Sequence, residues 1–316
     1  MPTVNSVSGQ LDTAKLGFTL MHEHIMVQSP GVKDNFPVFD RKAEIDSAVR
    51  KLKDVQKRGV VTLVDLTVGD WRDIPFVKEV VKKSGAQVIV ATGLYWEVPH
   101  FFSAQSGRSV DFIADLFARD IEDGIMDTGV KAGIIKCATD EPGVTPDVER
   151  VLQASARAHR RTGVPISTHT HAASEVGLKQ QDIFESEGAD LSRIVIGHSG
   201  DSEDIAYLRK ICDRGSYIGM DRFGIDIFLP TPQRVATIAK MCQLGYAEKM
   251  VLSHDASCYF DWTDRPLIDK LVPNWHFNHI PDDIVPALRA ARVTEEQITA
   301  MTVDNPRRIF EKQGAY

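Results

Sequence analysis

The chain has 316 residues, of which 43% are hydrophobic, and a formal net charge of −7 with a pI near 5.8. This acidic balance, with no basic cluster, argues against a nucleic-acid partner, because phosphate binding needs a concentrated basic face. No apolar stretch approaches a membrane span, Met1–Asp12 lacks a signal-peptide layout, and the four cysteines show no CxxC spacing. We therefore expect a cytoplasmic protein with no membrane partner, no disulfide framework and no thiolate zinc site.

Eight short apolar runs alternate with longer amphipathic segments along the chain. The predicted strands are Phe18–Met21, Val60–Leu66, Gln87–Gly93, Gly133–Cys137, Pro165–His169, Ile194–His198, Ser216–Met220 and Met250–His254. The predicted helices between them are Ala43–Arg58, Asp73–Ser84, Ser109–Asp127, Asp147–Thr162, Ser174–Glu187, Glu203–Asp213 and Thr231–Leu244. Apolar residues in these helices recur at three- and four-residue spacing, as in helices packed on a sheet. Strand and helix repeated eight times predict an α/β fold, a (β/α)₈ TIM barrel that forms one domain over residues 1–316.

Three segments lie outside this repeat. Thr3–Lys15 contains a turn and is predicted to form a small hairpin over the barrel floor. Cys258–Pro281 is rich in aromatic residues and proline, so we expect a long loop with one short helix. Two further helices, around Asp282–Ala291 and Glu295–Phe310, are predicted to finish the fold.

Six side chains that could bind metal stand at the ends of predicted strands. They are His22, His24, Lys136, His169, His198 and Asp255. The carboxyl ends of barrel strands are where active sites of this fold gather. Residues two apart on a strand face the same side, so His22 is expected to point with His24, and Ile196 with His198. Imidazole and carboxylate ligands suit divalent zinc first, and also iron, cobalt or manganese. Because one ion with an open position needs fewer ligands, we predict two divalent metal ions.

Lys136 fits a metal site only after chemical modification. A buried amine loses its proton readily, and a neutral amine can add carbon dioxide to give a carbamate that bridges two ions. Three other readings use the same residues: a Schiff-base aldolase with Lys136 as nucleophile, a mononuclear amidohydrolase such as a deaminase or cyclic-amide hydrolase, and a barrel that binds metal only for stability. The cluster of histidines argues against the aldolase, and an open Asp255 argues against a purely structural metal site.

Several motifs resemble those of a known family. They are Gly17-Phe18-Thr19-Leu20-Met21-His22-Glu23-His24, Ile135-Lys136-Cys137, Thr168-His169-Thr170-His171, Ile196-Gly197-His198, Leu252-Ser253-His254-Asp255 and Asp304-Asn305-Pro306. In order and spacing they resemble the phosphotriesterase branch of the amidohydrolase superfamily, and within it the phosphotriesterase-like lactonases. The similarity covers essentially the whole chain.

The resemblance implies a binuclear centre and a set of pocket residues. His22, His24 and Asp255 would bind the buried metal, His169 and His198 the exposed one, and a carboxylated Lys136 would bridge them. Tyr95 would lie beside the substrate carbonyl, and Arg222, Cys258 and Trp262 would shape the pocket entrance. We expect Cys258 to be exposed. A homodimer is also implied.

The implied chemistry is hydrolysis of lactones, with N-acyl homoserine lactones, and therefore quorum quenching, as the first substrate class. A metal-bridging hydroxide would attack the lactone carbonyl, and Asp255 would pass its proton to the leaving alkoxide. Tyr95 and His198 would assist, and Lys136 would hold the metals. The same centre would hydrolyse organophosphate triesters as a slower, promiscuous activity. The alternatives are a primary phosphotriesterase or another amidohydrolase.

Overall fold

The computed structural model describes residues 1–36, 39–312 and 314–316. Its strands are β1 Thr3–Ser6, β2 Gly9–Asp12, β3 Phe18–Val27, β4 Val60–Asp65, β5 Gln87–Gly93, β6 Ile134–Ala138, β7 Ile166–His169, β8 Ile194–Ile196, β9 Tyr217–Met220, β10 Met250–Leu252 and β11 Ser257–Phe260. Its α-helices are α1 Val32–Asn35, α2 Arg41–Gln56, α3 Ile74–Ser84, α4 Val110–Glu122, α5 Pro146–Thr162, α6 Val176–Ser186, α7 Ile205–Asp213, α8 Thr231–Gln243, α9 Arg265–Leu271, α10 Val285–Ala290, α11 Glu295–Thr299 and α12 Asn305–Glu311. π-Helical turns at Ile280–Ile284 and Ala300–Asp304 precede α10 and α12.

Strands β3 to β10 pair with one another in chain order, and every pair is parallel. The sheet closes where the chain after β10 meets β3. There the Asp255 amide donates to the His22 carbonyl at 2.9 Å, and the His24 amide donates to the Ala256 carbonyl at 2.8 Å. Strand β11 then extends this contact as a parallel partner of β3. The predicted (β/α)₈ barrel is confirmed.

Two layers of apolar side chains hold the barrel together. The inner layer fills the barrel with residues such as Val64, Ile89, Ile134 and Val251, and the outer layer packs the strands against the helices. Below the inner layer, β1 and β2 form the predicted antiparallel hairpin. The Val7 amide donates to the Val88 carbonyl at 2.9 Å, so the hairpin covers the floor. The opposite, carboxyl-terminal end of the strands is therefore the end where a site can open.

The main differences from the predicted elements lie in the connections. The predicted helix Ser109–Asp127 ends at Glu122, because Gly124 and Met126 adopt left-handed backbone conformations with φ of 127° and 50°. The region Cys258–Pro281 contains strand β11 besides the short helix α9. In the described part of the chain, no helix has the length and apolar character needed to cross a membrane.

Candidate active site

The six predicted donor side chains meet at the carboxyl ends of the barrel strands. His22 Nε2 and His24 Nε2 lie 3.3 Å and 2.9 Å from Asp255 Oδ1. On the other side of the cluster, His198 Nε2 lies 2.9 Å from His169 Nδ1. The Lys136 amine lies below, 3.1 Å from His22 Nε2. The barrel thus brings together residues that are as much as 233 positions apart, from His22 to Asp255.

Two of these residues reach the site through unusual backbone conformations. His198 and Asp255 have φ of 57° and 59°, in the left-handed region that non-glycine residues rarely adopt. On β8, Val195 belongs to the inner layer and Ile196 to the outer one. The predicted shared face of Ile196 and His198 is therefore wrong. The left-handed turn at His198, after the strand has ended, redirects its imidazole into the barrel mouth.

A buried carboxylate that was not singled out from the sequence, Asp221, orients two of the imidazoles. Asp221 directly follows β9; its Oδ2 accepts from His22 Nδ1 at 2.9 Å, and its Oδ1 accepts from His198 Nδ1 at 3.0 Å. Although burial opposes ionisation, the His198 and His22 imidazoles hold the pKa of Asp221 well below its usual range. The sequence feature that could have identified Asp221 is its position directly after β9, beside Arg222, which was already predicted to shape the pocket entrance.

The other two imidazoles also have partners on the side away from the site. His24 Nδ1 lies 2.8 Å from Thr67 Oγ1, whose hydroxyl in turn donates to Asp65 at 2.6 Å. His169 Nε2 lies 3.2 Å from Asp140 Oδ2, and this hydrogen bond lowers the pKa of the Asp140 carboxyl to about 2. Each imidazole therefore uses one nitrogen as an outward donor and turns the lone pair of the other into the site.

This arrangement fits divalent metal ions. With their outward nitrogens protonated, His198 Nε2 and His169 Nδ1 face each other at 2.9 Å with no proton to share, which a cation between them would relieve. Ligand atoms of His22, His198 and Asp255 all lie within 4.8 Å of one another. Burial lowers the pKa of His22 and of His169 to about 4, so both imidazoles are neutral at neutral pH, as metal ligation requires.

Lys136 is only 2% exposed, and within the described part of the chain its amine makes hydrogen bonds to no carboxylate. Burial lowers the pKa of the Lys136 amine to about 8, so the neutral fraction near neutral pH is a minority but far larger than for an exposed lysine. Besides His22, its contact is the Thr168 carbonyl at 3.1 Å. A neutral amine is the form that adds carbon dioxide. The amine is nearly fully buried against the His22 imidazole, and a Schiff-base enzyme would leave the four clustered histidines without a role, which argues against the aldolase reading.

Asp255 is the first member of a series of ion pairs that extends away from the site. Arg222 Nε lies 3.1 Å from Asp255 Oδ2, and Arg222 also pairs with Asp201 at 2.9 Å. Although burial opposes it, the nearby imidazoles and Arg222 hold the pKa of Asp255 well below its usual range. Arg234, only 1% exposed, pairs with Asp201 at 2.7 Å on the far side. Asp255 is thus an ionised carboxylate whose position is restrained by Arg222.

A largely apolar cavity of about 280 Å³ opens directly above the donor cluster. Its apolar wall includes Val27, Leu66, Val68, Trp71, Ile225, Ile227, Phe228, Phe260, Trp262, Ile268, Leu271, Val272 and Trp275. The Tyr95 hydroxyl lies 3.3 Å from His169 Nδ1, at the junction of cavity and cluster. Burial raises the pKa of Tyr95, so its phenol keeps its proton. Trp262 packs edge-on against Trp71 with ring centroids 4.2 Å apart.

Of the four predicted pocket residues, Tyr95, Arg222 and Trp262 line this cavity, whereas Cys258 does not. The prediction that Cys258 is exposed is wrong, since it is only 3% exposed and belongs to the outer apolar layer. It lies on β11 where that strand packs against α2, and burial raises the pKa of its thiol to about 12. The thiol is therefore neither a pocket group nor a reactive thiolate.

Comparisons with known proteins agree with this site. The chain is 52% identical to a phosphotriesterase homology protein of Mycobacterium tuberculosis, over the whole of both chains. The solved structure of the phosphotriesterase from Mycobacterium tuberculosis superimposes with a TM-score of 0.97, again covering both chains completely. An aryldialkylphosphatase of Saccharolobus solfataricus is 43% identical over 95% of this chain and 96% of its own length. The phosphotriesterase family model matches residues 2–310. The chain belongs to the phosphotriesterase family and is a metal-dependent hydrolase.

Proposed function

We propose that the protein is a lactonase that opens N-acyl homoserine lactones and related lactones, with a slower, promiscuous activity on phosphotriesters. The observation that carries the proposal is the apolar cavity that opens onto the donor cluster. A lactone ring placed at the cluster would leave its acyl chain along the wall formed by Ile225, Phe228 and Leu271. Removing such a chain from water stabilises binding by about 25 cal/mol per Å².

The charges around the cavity favour an uncharged substrate. The lysine and arginine side chains among its described lining residues are Lys136 and Arg222. The Lys136 amine is only 2% exposed and contacts His22 and the Thr168 carbonyl, and Arg222 is already paired with Asp255 and Asp201. A sulfonate or a free carboxylate would therefore find no uncommitted cation, and burying it unpaired would be costly. Lactones and phosphotriesters are both uncharged, so neither incurs the cost of burying an unpaired charge.

Each polar side chain of the site has a distinct task in the proposed reaction. Two divalent ions bound by the donor cluster, with Lys136 as a carbamate, would supply an activated water and polarise the substrate oxygen. Tyr95, as a protonated phenol, donates a hydrogen bond to the substrate carbonyl. Asp255 accepts the proton of the attacking water and returns it to the leaving alkoxide as the ring bond breaks. Arg222 keeps Asp255 ionised and aimed at the cluster.

The second candidate is a primary phosphotriesterase, favoured by the 43% identity to an aryldialkylphosphatase. A phosphotriester carries three substituents around phosphorus and needs room on three sides of the reacting atom. A lactone with one chain needs a single extended wall. The two substrates are therefore distinguished by kinetics on one metal-loaded preparation.

The deciding experiment compares kcat/KM for an N-acyl homoserine lactone and for a dialkyl aryl phosphate. We expect the lactone to be preferred by about a hundredfold, equivalent to about 2.7 kcal/mol of transition-state stabilisation. The Asp255→Asn variant, assayed in parallel, should lose most activity on both substrates. A reversed preference would assign the protein to the phosphotriesterases, and inactivity on both would refute the substrate assignment.

We also propose a homodimer in a reducing compartment such as the cytoplasm. Leu267 and Leu271, which follow the aromatic loop segment, are 47% and 50% exposed, and Trp262 is 44% exposed. A second copy covering these side chains would remove this apolar surface from water. All four cysteines are free and buried, which suits a compartment without disulfide formation. Light scattering coupled to gel filtration measures the mass directly, and a monomer at micromolar concentration would contradict the dimer.

A further inference from the structure

Glu23, the residue between the two histidines of the first motif, is a buried carboxylate with no role in the chemistry described so far. Its side chain is 0% exposed and points away from the donor cluster, toward the turn that follows β10. Ser253, His254 and Ala256 of that turn all donate hydrogen bonds to it. Burial raises the pKa of the Glu23 carboxyl, and these donors counteract that effect because they stabilise the carboxylate.

The hydrogen bonds of Glu23 enclose Asp255 on both sides. Oε1 accepts from the His254 amide at 3.1 Å, and Oε2 accepts from the Ala256 amide at 2.9 Å. These are the amides directly before and after Asp255. Asp255 itself is left-handed, with φ of 59°, a conformation that non-glycine residues keep only where surrounding contacts hold it.

Two side-chain contacts tie the same carboxylate to the rest of the barrel. The Ser253 hydroxyl donates to Glu23 Oε1 at 2.8 Å and accepts from the His22 amide at 2.8 Å, which links the turn to β3. His254 Nε2 accepts from the Ile280 amide at 2.9 Å, so its Nδ1 carries the proton and donates to Glu23 at 2.6 Å. All partners of Glu23 therefore donate, and only an acceptor with two oxygens at this place satisfies them all.

We propose that Glu23 is a positioning residue. It holds the turn Ser253–Ala256 in the conformation that directs the Asp255 carboxylate toward the other side chains of the donor cluster. This role rests on the function of Asp255 proposed above. It also accounts for a glutamate between His22 and His24, because the side chain at this position contacts Ser253, His254 and Ala256 of the turn. Glu23 acts through Asp255 and does not contact the substrate cavity.

The test compares Glu23→Gln, which disturbs the turn after β10, with a control that weakens β10 at its opposite end. In Glu23→Gln the amide oxygen can still accept from Ser253 and His254, but an NH₂ group then faces the Ala256 amide, donor against donor. The control is Asn305→Ala, because the Asn305 side chain donates to the Ala247 and Met250 carbonyls at 2.9 Å and 2.7 Å, at the start of β10. Glu23→Ala removes all the contacts and is used if it folds.

Glu23→Gln and Asn305→Ala are each loaded with Co²⁺. The visible d–d absorption, the metal content, the melting temperature and the kinetic constants are then measured. Kinetics use whichever of the lactone or the phosphotriester the wild-type protein hydrolyses. For Glu23→Gln we expect a changed Co²⁺ spectrum and a fall in kcat of about 10- to 100-fold, with KM within about threefold, because misplacement by about 1 Å costs up to about 10²-fold. For Asn305→Ala we expect a lower melting temperature with an unchanged spectrum and kcat.

An unchanged Co²⁺ spectrum together with a kcat within about twofold of wild type in Glu23→Gln would overturn the proposal, whatever its melting temperature. Equal losses of kcat in both variants would also overturn it, since the effect would then follow stability alone. If the wild-type protein hydrolyses neither substrate, the function proposed above fails separately. The spectrum then decides the role of Glu23 by itself, with a change supporting it and no change refuting it.

Discussion

The sharpest consequence of the site geometry concerns Asp221, which accepts from the Nδ1 atoms of both His22 and His198 at 2.9 Å and 3.0 Å. The substitution Asp221→Asn keeps the shape but leaves one oxygen, so an NH₂ group faces one of the two Nδ1–H donors. That imidazole can relieve the contact only by moving its proton to Nε2. The lone pair that points at the donor cluster is then lost, and with it one metal ligand.

The size of this effect follows from the strength of the hydrogen bond. A hydrogen bond to a charged group is worth about 1.5–3 kcal/mol. Because about 1.4 kcal/mol corresponds to a factor of ten, we expect metal affinity to fall about 10- to 150-fold. This range agrees with the losses of about 10- to 100-fold that follow removal of an outer partner of a metal-ligating histidine.

Metal affinity is measured by competition with a chelator of known affinity, with metal content per chain checked by elemental analysis. The matched control is Asp120→Asn, which likewise replaces a carboxylate by an amide, but whose partners, Arg72 at 2.9 Å and Thr92 at 2.7 Å, are not members of the donor cluster. The control should leave metal affinity within about twofold. If Asp221→Asn binds metal as tightly as wild type, the assignment of Asp221 as the residue that fixes both tautomers is wrong.

Three further predictions address the metal bridge, the cavity and the pH dependence. Lys136→Met removes the proposed carbamate, so elemental analysis should find fewer than two metal ions per chain, and two ions with full activity would contradict the bridge. Trp262→Ala removes part of the apolar wall; because Trp262 is 44% exposed, we expect a loss of about 1.5 kcal/mol, the low end of the range for burying a large apolar side chain, so KM for a long-chain acyl lactone should rise about tenfold while a short-chain lactone serves as the unaffected control. For the metal-free protein, the lowered pKa of about 4 at His22, His159 and His169, against 6.5 when unfolded, means that unfolding takes up protons below pH 6.5. Its melting temperature should therefore fall as pH decreases from about 6.5 toward 4, and a constant melting temperature by scanning fluorimetry would disprove this linkage.

Most of the fold could be predicted from the sequence because a parallel barrel repeats one strongly patterned unit. The apolar runs that become β3 to β10 are short and β-branched, and the helices between them are amphipathic, so the two periodicities separate cleanly. Closure of the barrel places every strand end on one rim. Side chains at those ends, such as His24 and Lys136, could therefore be grouped without knowing any distance.

The partners of these residues could not be predicted in the same way. Asp140 and Asp221 are acidic residues within two positions of a strand end, and Asp140 stands beside a second acidic residue, Glu141, so the sequence does not separate them from solvated acidic residues. Their function depends on which imidazole nitrogen lies within hydrogen-bond distance, which the packing of neighbouring strands determines. For Cys258 the sequence predicted too much, namely an exposed pocket residue in an irregular aromatic loop. The chain instead continues as strand β11, which buries the thiol.

The two left-handed ligands connect these observations. His198 and Asp255 both leave their strands through a conformation that ordinary side chains disfavour, and a buried carboxylate lies against each of them. Asp221 accepts from the His198 amide at 2.8 Å, as Glu23 accepts from the amides on both sides of Asp255. Asp221 therefore fixes one strained turn with the oxygens that also contact two imidazoles of the site. Glu23 fixes the other turn through groups of the turn itself, namely the His254 and Ala256 amides and the Ser253 and His254 side chains. Strain in the backbone and orientation of the ligands are thus parts of one arrangement, so a substitution that relaxes either turn should also weaken metal binding.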